Sequence, residues 1–516
     1  MVTGPVKEVK EDWNPPCWCD NEEDFNLNQI NADEVRRALN EIKKATAPGP
    51  DGITSFLLKL SSNEICENIA KIIKASINTA TYPEHWKRAN IKPVYKAKGS
   101  KSDASNYRPI SLLPILARCF EKLVANQLTN FCNANYIIPK EQYGFCKHSN
   151  CEMALLTAVD GWCKAIDGGE VVAALMIDLS KAFDSVSHPK LLVDLLEIGC
   201  SLKTVQWFSS YLSIRQQRIE IQGKKTSYLE VTRGVPQGSS LSPLLFNIYL
   251  RNLPESINSD SFVFADDVTL SEHHKSIEMV KQHLSASFYD LKQFCESREL
   301  VINSSKTQFI IIKTPSKKLS PEESTLILDG ISFSPLLSVK WLGFTIDRHL
   351  TFSEHINTTI SKCRGLLGIL RRISSSVPKE LMLLMYNALI RTHLEYASSV
   401  FIGASRTQLQ KLDIVQKCAS RVISGLPRDA HAAPIMKELG MDSLTERRIK
   451  HFNELVSACI EGKAHPSLCE LFKKPQNADH PALHPRTVIG RRAFSSLGIL
   501  VFNSAPEMIA PADEDL

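Results

Sequence analysis

Two short apolar runs that each end in aspartate constrain this chain more than any other feature. Val171 to Leu179 is continuously apolar except for Asp178, the pattern of a strand buried on both faces that delivers a carboxylate at its end. Phe262 to Ala265 is a second such run and delivers Asp266 and Asp267 in the same manner. Hydrophobic strands do not end in adjacent aspartates for stability, because clustered like charges repel until something bound neutralises them. We expect the three carboxylates to converge, although Asp266 and Asp267 alone would read equally well as a turn in an unrelated hairpin. The natural neutraliser is a pair of Mg²⁺ ions on oxygen ligands, with Mn²⁺ as the alternative. That arrangement activates an attacking hydroxyl and stabilises a leaving oxygen in phosphoryl transfer.

The chain has 516 residues, enough for roughly three domains of ~150 residues and a core that needs no disulfide or structural metal. Hydrophobic residues at 43% and charged residues at 23% exclude collagen-like, coiled-coil and broadly disordered classes. The most apolar stretch, Leu241 to Leu250, is half a membrane span, and Pro5, Lys7, Glu8 and Glu11 stand where a signal peptide needs an apolar run. An intracellular protein, in nucleus and cytoplasm, is expected. The fourteen cysteines are scattered; Cys17 and Cys19 are the one close pair, with no partner pair at zinc spacing, so buried reduced thiols are expected. The net charge of +5 is uneven: Lys340 to Lys450 holds 17 Lys/Arg against 9 Asp/Glu, and Lys87 to Lys101 holds six Lys/Arg and no acid. Two basic regions suit polyanion contact, although a charge run is more often a solvated face.

Helical spacing predicts helices from Asp33 to Ala45, capped by Asn31 or Asp33, and from Ser55 after the Ala47 to Gly52 turn. Further helices are predicted over Ser111 to Phe131, Glu152 to Ile166, Pro189 to Leu196 and from Pro243. Strands are predicted over Gln217 to Gln222, Phe309 to Lys313 and Val339 to Ile346. Arg233 to Ser240 reads as a polar loop, and from His355 onward the pattern is helical and basic, with Leu381 to Ile390 as one helix.

In order along the chain, Ala47-Pro48-Gly49-Pro50-Asp51-Gly52-Ile53, Tyr107-Arg108-Pro109-Ile110-Ser111-Leu112, Gln142-Tyr143-Gly144-Phe145 and Asp178-Leu179-Ser180-Lys181-Ala182-Phe183-Asp184 precede Gly234-Val235-Pro236-Gln237-Gly238-Ser239-Ser240-Leu241-Ser242-Pro243. Phe264-Ala265-Asp266-Asp267, Asn303-Ser304-Ser305-Lys306-Thr307 and Lys340-Trp341-Leu342-Gly343 follow. This series resembles the reverse transcriptase of non-LTR (LINE-type) retrotransposons, nearest the jockey-like elements, over about residues 30 to 350. Thr46 stands where that family usually has a basic residue. Full-length members usually begin with an apurinic-type endonuclease, and the leader here is too short for one, so a chain lacking that domain is expected.

The resemblance implies an α/β (α+β) right-hand polymerase: a leader over 1–27, fingers over 28–170, a palm on an antiparallel sheet over 171–350, a helical basic thumb over 351–460 and a C-terminal segment over 461–516. It implies RNA-templated synthesis of DNA, with Asp178, Asp266 and Asp267 holding the metals that align a primer 3′-hydroxyl with the α-phosphate of a dNTP. Phe183 would exclude a 2′-hydroxyl, its bland alternative being core filling. Gln237 and Gly238 would lie against nucleotide and template. Arg108 and Lys92 would grip the triphosphate, Lys306 would protonate the leaving pyrophosphate, and Trp341, Leu342 and Gly343 would form a primer grip. The implied partners are an RNA template, a DNA primer or target, dNTPs and a separate RNA-binding protein of the element, with no membrane. The rivals are an RNA-templated RNA polymerase, which Phe183 opposes, and a catalytically idle RNA-binding remnant.

Overall fold

The computed structural model describes residues 24–43, 45–472 and 485–503, so Cys17, Cys19 and most of the leader lie outside it. Two compact units are interleaved along the chain. The first comprises residues up to Pro139, Ser180–Leu253 and Phe294–Val301; the second comprises Lys140–Leu179, Pro254–Gln293 and the chain from Ile302 onward.

In the first unit, Asn31 caps the Ala32–Glu41 helix through a reciprocal capping box with Glu34, and Thr54 caps Ser55–Leu60. The helix expected from Ser111 begins only at Ile115, behind Pro114. Ser111 and Leu112 instead end a strand, Tyr107–Leu112, because proline forces the residue before it out of the helical region. That strand pairs antiparallel with Arg88–Tyr95, so much of the basic Lys87 to Lys101 run is a strand inside a sheet. Arg88–Tyr95 also pairs in parallel with Arg215–Ile221, completing most of a five-stranded mixed sheet. Tyr82, Phe120, Trp207 and Tyr211 form one aromatic cluster, mostly edge to face, where each ring pair adds about 0.5–1.5 kcal/mol beyond area burial. The Trp207 indole N–H is satisfied by Ser76 Oγ at 3.0 Å.

The second unit is built on a four-stranded antiparallel sheet in the order Asp260–Phe264, Asp267–His274, Val171–Asp178, Gln308–Ile312. Val171 to Ile177 are all buried, as a central strand covered on both faces requires, and each fully buried Val or Leu contributes about 1.5–3 kcal/mol. The Cys151–Asp167 helix covers one face, its Trp162 N–H donating to Ser271 Oγ at 3.1 Å. The helix also holds the end of the chain: Asp160 accepts from Ser495 N at 2.7 Å, and Asp167 from Thr487 N at 2.6 Å. Long helices follow at Ser353–Ile373, Arg406–Ser424 and Leu444–Ile460, and the helix expected over Leu381 to Ile390 is an α-helix, Lys379–Tyr386, that runs into a π-helical turn.

The fold is thus the mixed α/β class with antiparallel sheets that was expected. Nine of the twelve described cysteines are buried. Among the described residues no helix is long and apolar enough to cross a membrane.

Candidate active site

Asp178 is the last residue of its strand and pairs directly with Asp267, the first residue of the neighbouring one. Asp267 therefore opens a second strand rather than closing the Phe262 run, and Asp266 occupies the two-residue turn between them. The other central position of that turn, Ala265, has φ of +57°. Tight hairpins favour left-handed conformations at this place, normally with glycine, because they match the right-handed twist of the strands. An alanine held there stores about 1–3 kcal/mol of backbone strain, which surrounding structure must over-determine.

The neighbouring segment supplies that constraint. Tyr143 N donates to Val263 O at 2.7 Å and Val263 N to Glu141 O at 2.8 Å. The Gln142 side-chain oxygen accepts from Gly144 N at 2.8 Å and from Ala265 N at 3.0 Å. Gly144 is obligatory here, since a Cβ on it would stand 2.4 Å from Ala265 N.

Two groups attend Asp178. Lys306 Nζ lies 2.9 Å from its Oδ2, and Asn303 donates to it twice, from Nδ2 to Oδ2 at 3.2 Å and from the backbone N–H to the carbonyl at 2.9 Å. Burial pushes the Asp267 carboxyl up to about 6, the charges of Asp266 and Asp178 push it the same way, and Lys306 opposes them. The residue as a whole remains exposed, so water screens part of this repulsion. A carboxylate resisting ionisation beside two others is short of positive charge, and the hard oxygen donors suit a divalent cation. Among the described residues no three His, Cys, Asp or Glu side chains form a ready-made metal cage. Mg²⁺ is commonly held by one or two carboxylates, with substrate phosphates and water completing its shell, so an open carboxylate site fits it.

The remaining predicted residues divide between the units. In the first, backbone bonds tie Phe183 to the polar loop: Val235 N donates to Phe183 O and Gly234 N to Val186 O, both at 2.8 Å. Gln237 Nε2 donates to Asp184 Oδ1 at 3.0 Å. Gly238, with φ of +117°, lies so close to the Tyr107–Leu112 strand that a Cβ would meet Ser111 O at 2.9 Å, while Ser111 N donates to Gln237 O at 2.7 Å. Phe183 is half-buried and stacks on Phe246 with ring centres 4.4 Å apart. Lys92 and Arg108 are exposed on one face of their hairpin, opposite Ile110 and Val94 respectively.

In the second unit Trp341 is buried, near Trp162 and Phe262 at 6.0 Å between ring centres. Only Leu342 and Gly343, the positive-φ turn after it, reach the surface. The Tyr396 hydroxyl donates to Leu342 O beneath that turn. Trp341 therefore fills the core of its hairpin, and any contact with a bound strand falls to the turn. Gln142 and Asp184 carried no role in the sequence reading, because their partners lie 123 and 53 residues away.

A sheet that presents aspartates at adjoining strand ends, with a lysine drawn onto one of them, is a carboxylate site suited to binding divalent cations. Residues 96–346 match the family described as reverse transcriptase (RNA-dependent DNA polymerase). More particularly, the chain is homologous to polymerases of non-LTR retrotransposons. It is 26% identical to the RNA-directed DNA polymerase from mobile element jockey of Drosophila melanogaster, over 90% of this chain and 51% of that protein. It is 25% identical to the probable RNA-directed DNA polymerase from transposon BS of the same species, over 82% of this chain and 48% of the other. A Pol polyprotein from the type-1 retrotransposable element R1 of Bradysia coprophila is 24% identical over 76% of this chain and 39% of its own length. The chain thus spans about half, or less, of the length of these curated relatives. Reverse transcriptases as a family use divalent metal ions.

Proposed function

We propose that the chain is an RNA-directed DNA polymerase of a non-LTR retrotransposon, adding dNTPs to the 3′-hydroxyl of a primer along an RNA template. The observation that carries this reading is the register of Asp178 against Asp267 with Asp266 in the adjoining turn, inside the matched domain. In the reaction the primer 3′-hydroxyl gives its proton to water and its oxygen bonds to the α-phosphorus, the bond from that phosphorus to the bridging oxygen breaks, and pyrophosphate leaves with a proton that solvent restores to its donor. Asp178, Asp266 and Asp267 would hold two Mg²⁺ ions, or Mn²⁺ in their place, which would supply positive charge beside the attacking and leaving oxygens. Lys306, paired with Asp178, is the proton donor assigned to the pyrophosphate.

Arg108 and Lys92 share an exposed sheet face and grip the triphosphate, the guanidinium as a fork and the ammonium as a point charge. Gln237, held by Asp184, and Gly238, held against Ser111, present rigid backbone to the nucleotide. Phe183 selects the deoxy sugar, and the Leu342–Gly343 turn, braced by Trp341 from within, serves as the primer grip. In domain terms, residues 28–170 are assigned as fingers, 171–350 as palm, 351–460 as thumb and 461–516 as a C-terminal segment. A DNA target, a separate RNA-binding protein of the element, and work in both nucleus and cytoplasm complete the proposal. Primer extension on poly(rA)/oligo(dT) with Mg²⁺ and dTTP tests it: extension is expected, and its absence with soluble, folded protein over a range of divalent ions would overturn it.

A further inference from the structure

Gln142 is 3% exposed and lies in a segment that the proposed chemistry leaves unused. Both groups that its side-chain oxygen meets, Gly144 N–H and Ala265 N–H, are donors. An oxygen must therefore face them, which settles the orientation of the carboxamide without reference to hydrogen positions. Ala265 precedes Asp266 in a two-residue turn and holds a left-handed backbone that alanine disfavours. Turn amides of this kind ordinarily bond to water. Here the amide donates to the Gln142 side chain instead, and Ala265 is buried.

We propose that Gln142 is a positioning residue: its one oxygen bridges the Gly144 and Ala265 amides, holds the strained turn, and so sets where Asp266 and Asp267 stand for the incoming charge. A carboxamide suits the task because it accepts two N–H bonds without adding a fourth negative charge beside three aspartates. The bridge is local, so its loss frees the turn while the Asp178 strand, paired on both sides, stays in place. The consequence for catalysis rests on the polymerase reading; the consequence for the turn does not.

The test uses the full chain with Gln142→Met, which keeps length and removes the acceptor, and Gln142→Glu, which keeps the acceptor. Hydrogen exchange followed by mass spectrometry reads the 141–145 and 260–268 peptides, and Mn²⁺ titration reads the carboxylates without turnover. In Gln142→Met, exchange in these two peptides is expected to speed at least tenfold while that of the Arg406–Ser424 helix is unchanged. Mn²⁺ affinity should fall several-fold, and kcat for extension should fall at least tenfold with the primer–template KM retained. Gln142→Glu should keep the wild-type protection. Should Gln142→Met fail to fold, Gln142→Asn, whose oxygen is withdrawn by one methylene, takes its place with the same expectations. Wild-type exchange and Mn²⁺ affinity in the acceptor-less variant, or loss of protection in Gln142→Glu, would overturn the proposal. A wild-type chain that extends no primer would defeat the polymerase reading alone, with the exchange result still deciding the role of Gln142.

Discussion

Asp178 and Asp267 stand directly opposite each other at the ends of adjacent antiparallel strands. Like charges in that relationship destabilise a sheet, and Lys306, paired with Asp178, offsets part of the cost at both carboxylates. The pairing makes the strand ends a place where added positive charge is favourable, with consequences for both catalysis and acid response.

Asp178→Asn and Asp266→Asn should each lower primer extension by at least a thousandfold while leaving the dissociation constant for a primer–RNA duplex within about threefold. The reason is that a lost carboxylate disables metal positioning, whereas duplex binding rests on the basic surface. Gel-shift and single-turnover assays on the same preparations check this. Extension near the wild-type rate in either variant would remove these residues from the site.

Acid should act on Asp267 in two opposite ways. Its folded pKa of about 6 lies above the ordinary carboxylate value, so its contribution to the stability of the metal-free protein is fully present below about pH 4 and is lost as pH rises through 6. Asp267→Asn should therefore raise the melting temperature of metal-free protein at pH 7.5 and have little effect at pH 4. Divalent-ion affinity runs the other way, rising with pH up to about 6 and levelling beyond it, because the ion needs the ionised form. Thermal melts with EDTA and Mn²⁺ titrations between pH 5 and 8 measure the two limbs; a flat Mn²⁺ affinity across that range would refute the assignment.

Phe183→Val should raise the kcat/KM for rNTPs relative to dNTPs by tenfold or more. Losing the stack on Phe246 should also cost about 1–2 kcal/mol of stability, at the low end of large-to-small core changes because the ring is only half-buried. A lower melting temperature with an unchanged sugar ratio would make Phe183 a packing residue and nothing more.

Gly238→Ala should reduce both stability and nucleotide use. Its φ of +117° and the 2.9 Å distance at which an added methyl carbon would meet Ser111 O require the loop to leave the strand, at about 1–3 kcal/mol for the strained backbone. The dNTP KM should rise several-fold while Gly223→Ala, a left-handed glycine with open space around it, leaves that KM unchanged. Equal KM values in the two variants would show that the loop does not bear on the nucleotide.

Much of the site was legible because its signals are local. The run from Val171 to Ile177 has one stable solution, a strand covered on both faces, and the carboxylate at its end follows from the chain itself. Helix starts at Ala32 and Ser55 follow from Asn31 and Thr54, whose side chains cap within three residues. Pro114 forbids a continuous helix from Ser111, and the residues before it become strand. The basic stretch from Lys87 reads as a surface for polyanion contact or a solvated face, yet Ala89, Asn90 and Ile91 within it are buried and pair into a sheet.

Sequence alone determined the central strand that ends at Asp178, the helix starts after Asn31 and Thr54, which residues carry charge, and in what order the motifs come, since these depend on neighbours a few positions away. Only the tertiary structure decided that Asp267 rather than Asp266 faces Asp178, that Lys306 sits on Asp178, that Trp341 turns inward, and that Gln142 holds Ala265. Each is a matter of register or of contact between residues far apart in the chain, and a shift of one residue in strand pairing would reverse which carboxylates meet. No local propensity carries that information; it comes from burying both faces of the central strand at once.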